Sequence, residues 1–397
     1  MTVGGSVASS APDAKPRRFG RPPAVAREQG TRLRVCIVAP SLDILGGQAV
    51  VAQRLMERLR ADPSLDVTFV PHNPRLPGPL RALQRVKYVR TIVTSIEYLW
   101  LLLRRLRDQD VVHVFSASYW SFILAPTPAV LIARLYGKRV ILNYRSGEAL
   151  DHLTTWPRTS LPVLRRADLI VVPSGYLVDV FAKFGLNATP ISNFVDVERF
   201  PYRRRQSPRP IFFANRNFAA HYNVGCVLRA FAVIQSKAPT ARLIVAGDGP
   251  QRAALHELAR ELRLTNVDFL GQVAPQRMPA LYEDADIYLN TPNVDNMPNS
   301  VVEAFAAGLP VVTTRAGGIP YIVRHESNGL LTDCDDAEAI AAAALRLLSE
   351  PGLAVRLADQ ARTDVEASYT WQAVHEQWRA VYGMGPSTGA AGDVARG

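Results

Sequence analysis

Thr291-Pro-Asn-Val-Asp-Asn-Met-Pro-Asn-Ser-Val-Val-Glu-Ala-Phe-Ala-Ala-Gly-Leu-Pro-Val-Val312 runs from loop to helix to strand in one short span. The apolar run Ile287–Asn290 before it reads as a strand, and the polar residues that follow read as a loop. Asn299 and Ser300 are both good caps for a helix starting there. Val311–Thr314 then begins another strand, so the segment is a βαβ unit. Two carboxylates punctuate it, Asp295 in the loop and Glu303 one turn into the helix. One reading is a solvated loop followed by a surface glutamate. In the other, the carboxylates grip hydroxyls at two ends of a ligand while the helix N-terminus faces a phosphate between them. Glu303 has Val301, Val302, Ala304 and Phe305 beside it, where an unsatisfied charge is costly. That favours a site.

The same alternation extends in both directions. Apolar strand-like runs occur at Leu33–Pro40, Val67–Val70, Val111–Phe115, Arg139–Asn143 and Leu169–Pro173. A second series follows at Ile211–Ala214, Arg242–Ala246, Val267–Leu270, Ile287–Asn290 and Val311–Thr314. Uniformly apolar strands suit parallel sheets covered on both faces. The Arg/Pro-rich stretch Pro201–Pro210 separates the two series. The chain of 397 residues is long enough for about two domains. The predicted fold class is therefore α/β with two Rossmann-like, doubly wound halves: residues 32–200 and 201–368. Residues 1–31 are expected to be a disordered basic arm and residues 385–397 a disordered tail.

Composition removes several classes. Three cysteines lie far apart without a CxxC pair, so neither a disulfide framework nor a cysteine-rich zinc site is expected. The seven histidines include no HExxH, and no metal site is expected. The net charge of +11 comes from 46 basic residues of which only five are Lys, and no aromatic-interleaved cluster accompanies them. No nucleic-acid partner is expected. The arm at 1–31 lacks the apolar core of a secretory signal. Neither GxSxG nor GxxxxGK[ST] is present. Asp284-Ala-Asp286 and Asp333-Cys-Asp335 have an Asp-x-Asp form, but a helix–strand junction and a surface turn make both accidental.

Two glycine turns are candidates for ligand contact. Gly46-Gly47 follows the first strand and opens a helix, letting backbone approach an anion closely. Gly247-Asp248-Gly249-Pro250 follows the strand ending at Ala246 and starts like a dinucleotide fingerprint, with Asp268 as the ribose acid. Arg252 stands at its third glycine position, which weakens an oxidoreductase reading.

Residues 75–107 carry eight Lys and Arg residues against Glu97 alone, a local charge of +7. The apolar stretch Thr91–Leu103 is too short to span a bilayer. Val89, Ile92, Val93, Ile96, Leu99, Trp100 and Leu103 recur at helical spacing. The helix either packs this stripe on the sheet or lies on an anionic membrane.

The segment at 291–312 resembles the signature of family 4 retaining glycosyltransferases of the GT-B fold, in an Asp-x7-Glu form of their Glu-x7-Glu motif. The resemblance runs from Val35 to about Tyr382. It includes Gly46-Gly47, Ser192–Asp196 with Phe200, the Gly247–Pro250 turn, Gly317-Gly-Ile-Pro320 and Tyr369-Thr-Trp371. It implies a nucleotide-sugar domain at 201–368, an acceptor domain at 32–200 and a helix within 369–384 crossing back to the acceptor domain. It further implies hexosyl transfer from a nucleotide diphosphate sugar to a glycan or lipid-linked acceptor, retaining and metal-independent, with no cofactor. The setting it implies is cell-envelope or exopolysaccharide synthesis in the cytoplasm, peripheral to the inner membrane face if the basic helix binds lipid. Asp295, Arg216 and Glu303 would be the catalytic set, with Glu303 on the donor ribose and Arg216 on the pyrophosphate. Gly46, Gly47, Asp248, Asn296, Met297, Pro298, Asn299 and Ser300 would complete the donor site. His113, Ser116 and Arg145 would face the acceptor. Tyr222-Asn223 replaces the family's phosphate-binding Lys-Gly pair, and Phe115 and Arg145 stand where relatives often carry His. A non-catalytic nucleotide-sugar-binding protein and a GT-B nucleotide-sugar epimerase are the alternatives.

Overall fold

The computed structural model describes residues 32–42, 47–76, 78, 83–84 and 86–385. The expected arm at 1–31, the tail beyond 385, Gly46, Arg81 and Arg85 lie outside the described residues.

The described residues form two all-parallel sheets of six strands each. The first half runs β1 (Leu33–Ala39), α1 (Gly47–Arg60), β2 (Leu65–Pro71), α2 (Lys87–Arg105), β3 (Val111–Ser116), α3 (Tyr119–Leu124) and α4 (Pro126–Leu135). It continues with β4 (Arg139–Tyr144), α5 (Ala149–Thr155), α6 (Pro157–Leu164), β5 (Leu169–Val172), α7 (Gly175–Ala182) and β6 (Thr189–Pro190). The second half runs β7 (Ile211–Asn215), α8 (Val224–Lys237), β8 (Arg242–Ala246), α9 (Arg252–Glu261), β9 (Val267–Gly271), α10 (Met278–Asp284) and β10 (Ile287–Asn290). It ends with α11 (Asn299–Ala306), β11 (Val311–Thr314), β12 (Leu330–Thr332), α12 (Ala337–Ser349), α13 (Pro351–Ser368) and α14 (Trp371–Tyr382). The strand orders are β2-β1-β3-β4-β5-β6 and β12-β11-β10-β7-β8-β9. Each order reverses direction beside its first strand, as in a doubly wound fold.

Every strand-like run named from the sequence falls on a strand. Alternate side chains fill opposite faces. In the first sheet Cys36, Val38, Val112 and Val114 enter one apolar cluster, while Val35, Ile37, Val111 and Phe115 enter another. Val374, Trp378, Val381 and Tyr382 of α14 pack into that second cluster, so this helix of the second half lies on the first sheet. Clusters around Phe212 and Phe213 cover the two faces of the second sheet.

The stretch between the sheets is pinned rather than free. Arg205 is buried and donates to the carbonyls of Tyr282, Ala285 and Ala307. Arg203 and Arg209 pair with buried Asp286. Burial opposes ionisation of Asp286, yet these arginines hold its carboxyl below the usual range. The second aspartate of Asp284-Ala-Asp286 is thus a structural anchor.

Candidate active site in the cleft between the sheets

The C-terminal ends of the strands in both sheets open on a shared cleft of about 470 Å³. Its second-half wall is the loop and helix start read first from the sequence. The Asp295 loop is held by close backbone packing. Gly317 has φ +50°, and a Cβ there would lie 2.1 Å from the Asp295 carbonyl oxygen. Gly247, just past β8, lies against the Arg216 carbonyl, where a Cβ would meet that oxygen at 2.0 Å. Only glycine fits at either place.

Arg216, just past β7, donates to Asp295 at 2.5 Å and to the Ser300 hydroxyl at 3.2 Å. The Tyr222 ring centroid lies 4.0 Å from its guanidinium carbon. Burial would lower the Arg216 pKa, but Asp295 and the surrounding tyrosines raise it overall. It is a fixed, permanent cation. Tyr222 supplies no charge in place of the expected lysine. It acts as a plate against Arg216.

Glu303 is buried on α11, as its apolar neighbours require, and it is satisfied. The Tyr282 hydroxyl donates to one carboxylate oxygen at 3.1 Å. Arg54 of α1 donates to the other at 2.8 Å, reaching across from the first half. Arg54 and Tyr282 were not singled out in the sequence. The cue for Arg54 is an arginine set between Val51 and Leu55 on the buried face of α1.

Asn193 joins the halves as well, donating to the Met297 carbonyl at 3.1 Å and to the Asn299 side chain at 2.8 Å. Asn193 also accepts from Arg145. Arg145 lines the cleft and lies 5.7 Å from the Phe115 ring. Burial pushes its pKa down to about 10. The site residues Gly47, Arg145, Arg216, Asp248, Asp295, Asn296, Met297, Pro298, Asn299, Ser300 and Glu303 all line the cleft.

The structure corrects two acceptor-side expectations. His113 is wholly buried in β3, contacting the Tyr382 hydroxyl at 2.7 Å and Asn143 at 3.1 Å. Burial, then the Arg145 charge, pushes its pKa down to about 3. Ser116 is also fully buried, with its hydroxyl turned to the Ala117 carbonyl. The reason is position: both belong to the interior strand β3, flanked by β1 and β4. Among the described residues, no three His, Cys, Asp or Glu side chains gather as metal ligands. Asp268 of the dinucleotide reading pairs with Arg242 on the surface.

Three buried donors in the cleft wall have no acceptor: Arg54 Nε, Arg216 Nε and Asn296 Nδ2. Buried N–H groups are rarely left so, and each costs about 1–3 kcal/mol.

Residues 196–364 match the family described as glycosyl transferases group 1, and residues 45–199 match glycosyltransferase family 4. The chain is 27% identical over 292 residues to a glycogen synthase of Mycobacterium tuberculosis, covering 69% of this chain and 68% of that one. It is 27% identical over 298 residues to a GDP-mannose-dependent alpha-(1-6)-phosphatidylinositol monomannoside mannosyltransferase of the same organism, covering 68% and 74%. The structure of Anabaena HepE in complex with UDP and glucose superposes with a TM-score of 0.69 at 17% identity, over 88% of this chain and 99% of that one. At that identity the likeness is one of fold.

Proposed function

This chain belongs to the family 4 glycosyltransferases of the GT-B fold, and we propose that it moves a hexosyl group, with retention, from a nucleotide diphosphate sugar to a glycan or lipid-linked acceptor. One observation carries the reading: the donor side chains of Arg216, Asn296 and Ser300 line one cleft beside the N-terminus of α11, with Arg54 on the facing wall. A diphosphate offers several acceptor oxygens and negative charge, which suit those donors and that helix end.

The chemistry follows from charge. As the glycosidic bond stretches, the sugar becomes oxocarbenium-like and the leaving diphosphate gains negative charge. Arg216, locked by Asp295 and Tyr222, stands ready for that charge without reorganising. This supports transfer without a divalent ion. The acceptor hydroxyl attacks from the face the diphosphate leaves, and the diphosphate oxygen takes its proton. Glu303 accepts from the donor ribose hydroxyls. The first half, with Arg145 on its wall, receives the acceptor. The setting we propose is envelope or exopolysaccharide synthesis.

The test is transfer in EDTA, using UDP-, GDP- and ADP-hexoses with glycan and lipid-linked acceptors, and proton NMR of the new linkage. The expected product keeps the donor's anomeric configuration and forms only when acceptor is present. An inverted product would reject retention and point to Glu148, which also lines the cleft, as a general base. Activity lost in EDTA and restored by magnesium would reject the metal-free mechanism. Donor epimerised without acceptor would favour the epimerase.

A further inference from the structure

Helix α2 does not pack its apolar stripe on the sheet. Its inward side chains are Tyr98 and Leu102, followed by Leu106, and the Tyr98 hydroxyl donates to the Ala125 carbonyl at 2.8 Å. That anchor fixes the rotation of the helix and turns Ile92, Ile96, Leu99, Trp100 and Leu103 into solvent, with Ile96 62% and Trp100 50% exposed. Helix α4 packs beside α2, and the Tyr136 hydroxyl that follows α4 donates to the Leu103 carbonyl at 3.1 Å. Leu131 and Leu135 of α4 are exposed too, as are Trp120 and Leu124 of adjoining α3. Single exposed apolar residues are ordinary, but a surface built from three neighbouring helices marks an interaction site.

Charge identifies the occupant. Arg90, Arg104, Arg105 and Arg107 are exposed along the same helix and the turn after it, and Arg104 lies 5.3 Å from the Trp100 ring. A second copy would set two basic faces against each other, since only Glu97 and Asp108 oppose these four arginines. An anionic bilayer instead offers acyl chains to the isoleucines, leucines and tryptophans and headgroup phosphates to the arginines. Among the described residues no helix is long and apolar enough to cross a membrane, so the contact is with one leaflet's surface. We infer that the face formed by α2, α3 and α4 docks reversibly on anionic lipid.

The experiment is co-sedimentation with vesicles of phosphatidylglycerol and phosphatidylcholine against phosphatidylcholine alone, with no nucleotide present. Its outcome is therefore independent of the donor reading. Wild type should pellet with the anionic vesicles at low salt and be released at high salt. Two variants, Ile96→Ser with Trp100→Ser and Arg104→Gln with Arg105→Gln and Arg107→Gln, should each lower partitioning about tenfold or more. If either fails to melt cooperatively, Trp120→Ser with Leu135→Ser probes the same face from other helices. Wild type left in the supernatant would overturn the inference, as would equal binding to neutral vesicles or folded variants that pellet like wild type. A dimer seen by light scattering and abolished by the same substitutions would replace the membrane with a second copy.

Discussion

Tyr222 shows how a substitution at one position changes the design of a site. The family resemblance expects a lysine there, and the chain instead lays a ring 4.0 Å from the Arg216 guanidinium. Cation–π contacts contribute about 0.5–2 kcal/mol, and a ring also restricts where the arginine can point. Tyr222→Phe should therefore retain transfer activity. Tyr222→Ala should lower kcat by roughly 2- to 30-fold. Steady-state kinetics with the donor varied will separate the two, and equal losses in both variants would show that the hydroxyl, not the ring, is used. Asp295 and Glu303 were legible as a pair because each sits where a carboxylate needs a reason. Their partners were harder to see. Arg54 lies 249 residues from Glu303, and no local pattern links positions so far apart.

At the scale of elements, periodicity was a sound guide wherever a run was long enough to show it. β6 and β12 are two and three residues long and complete the edges of their sheets. Runs that short carry no period. Helix α2 was legible as a helix, but the side it buries depended on Tyr98 finding the Ala125 carbonyl. Strand β3 carries a consequence for pH. His113 is neutral in the fold because burial, then Arg145, lowers its pKa from 6.5 to about 3, and it contacts Tyr382 of α14. His72 and His152 are likewise lowered to about 4, chiefly by burial. The unfolded chain takes up these protons first, so stability is full above pH 6.5 and falls as pH drops towards 3 to 4. Chemical denaturation across that window should show a shallower loss for His113→Gln than for wild type. An unchanged slope would mean that His113 does not supply it.

The whole molecule is two parallel sheets joined by a pinned linker and by α14, with side chains from both meeting over one cleft. Arg54 meets Glu303, and Asn193 meets Met297 and Asn299. Two doubly wound halves follow from sequence, since buried parallel strands announce themselves as apolar runs. Contacts across the cleft do not, because they depend on how the halves close on each other. The central claim is that this cleft, centred on Arg216 and Glu303, takes a nucleotide diphosphate. Thermal unfolding with UDP, GDP, ADP, CDP and TDP tests it most directly, on wild type, Arg216→Gln and Glu303→Gln. At a hundredfold excess over its dissociation constant, the right diphosphate should stabilise wild type by about 2.7 kcal/mol. Each variant should melt cooperatively without ligand yet lose about 1.5–3 kcal/mol of binding, so that the shift falls to about half or less. A wild type indifferent to all five diphosphates, or variants that respond as fully as wild type, would contradict the account.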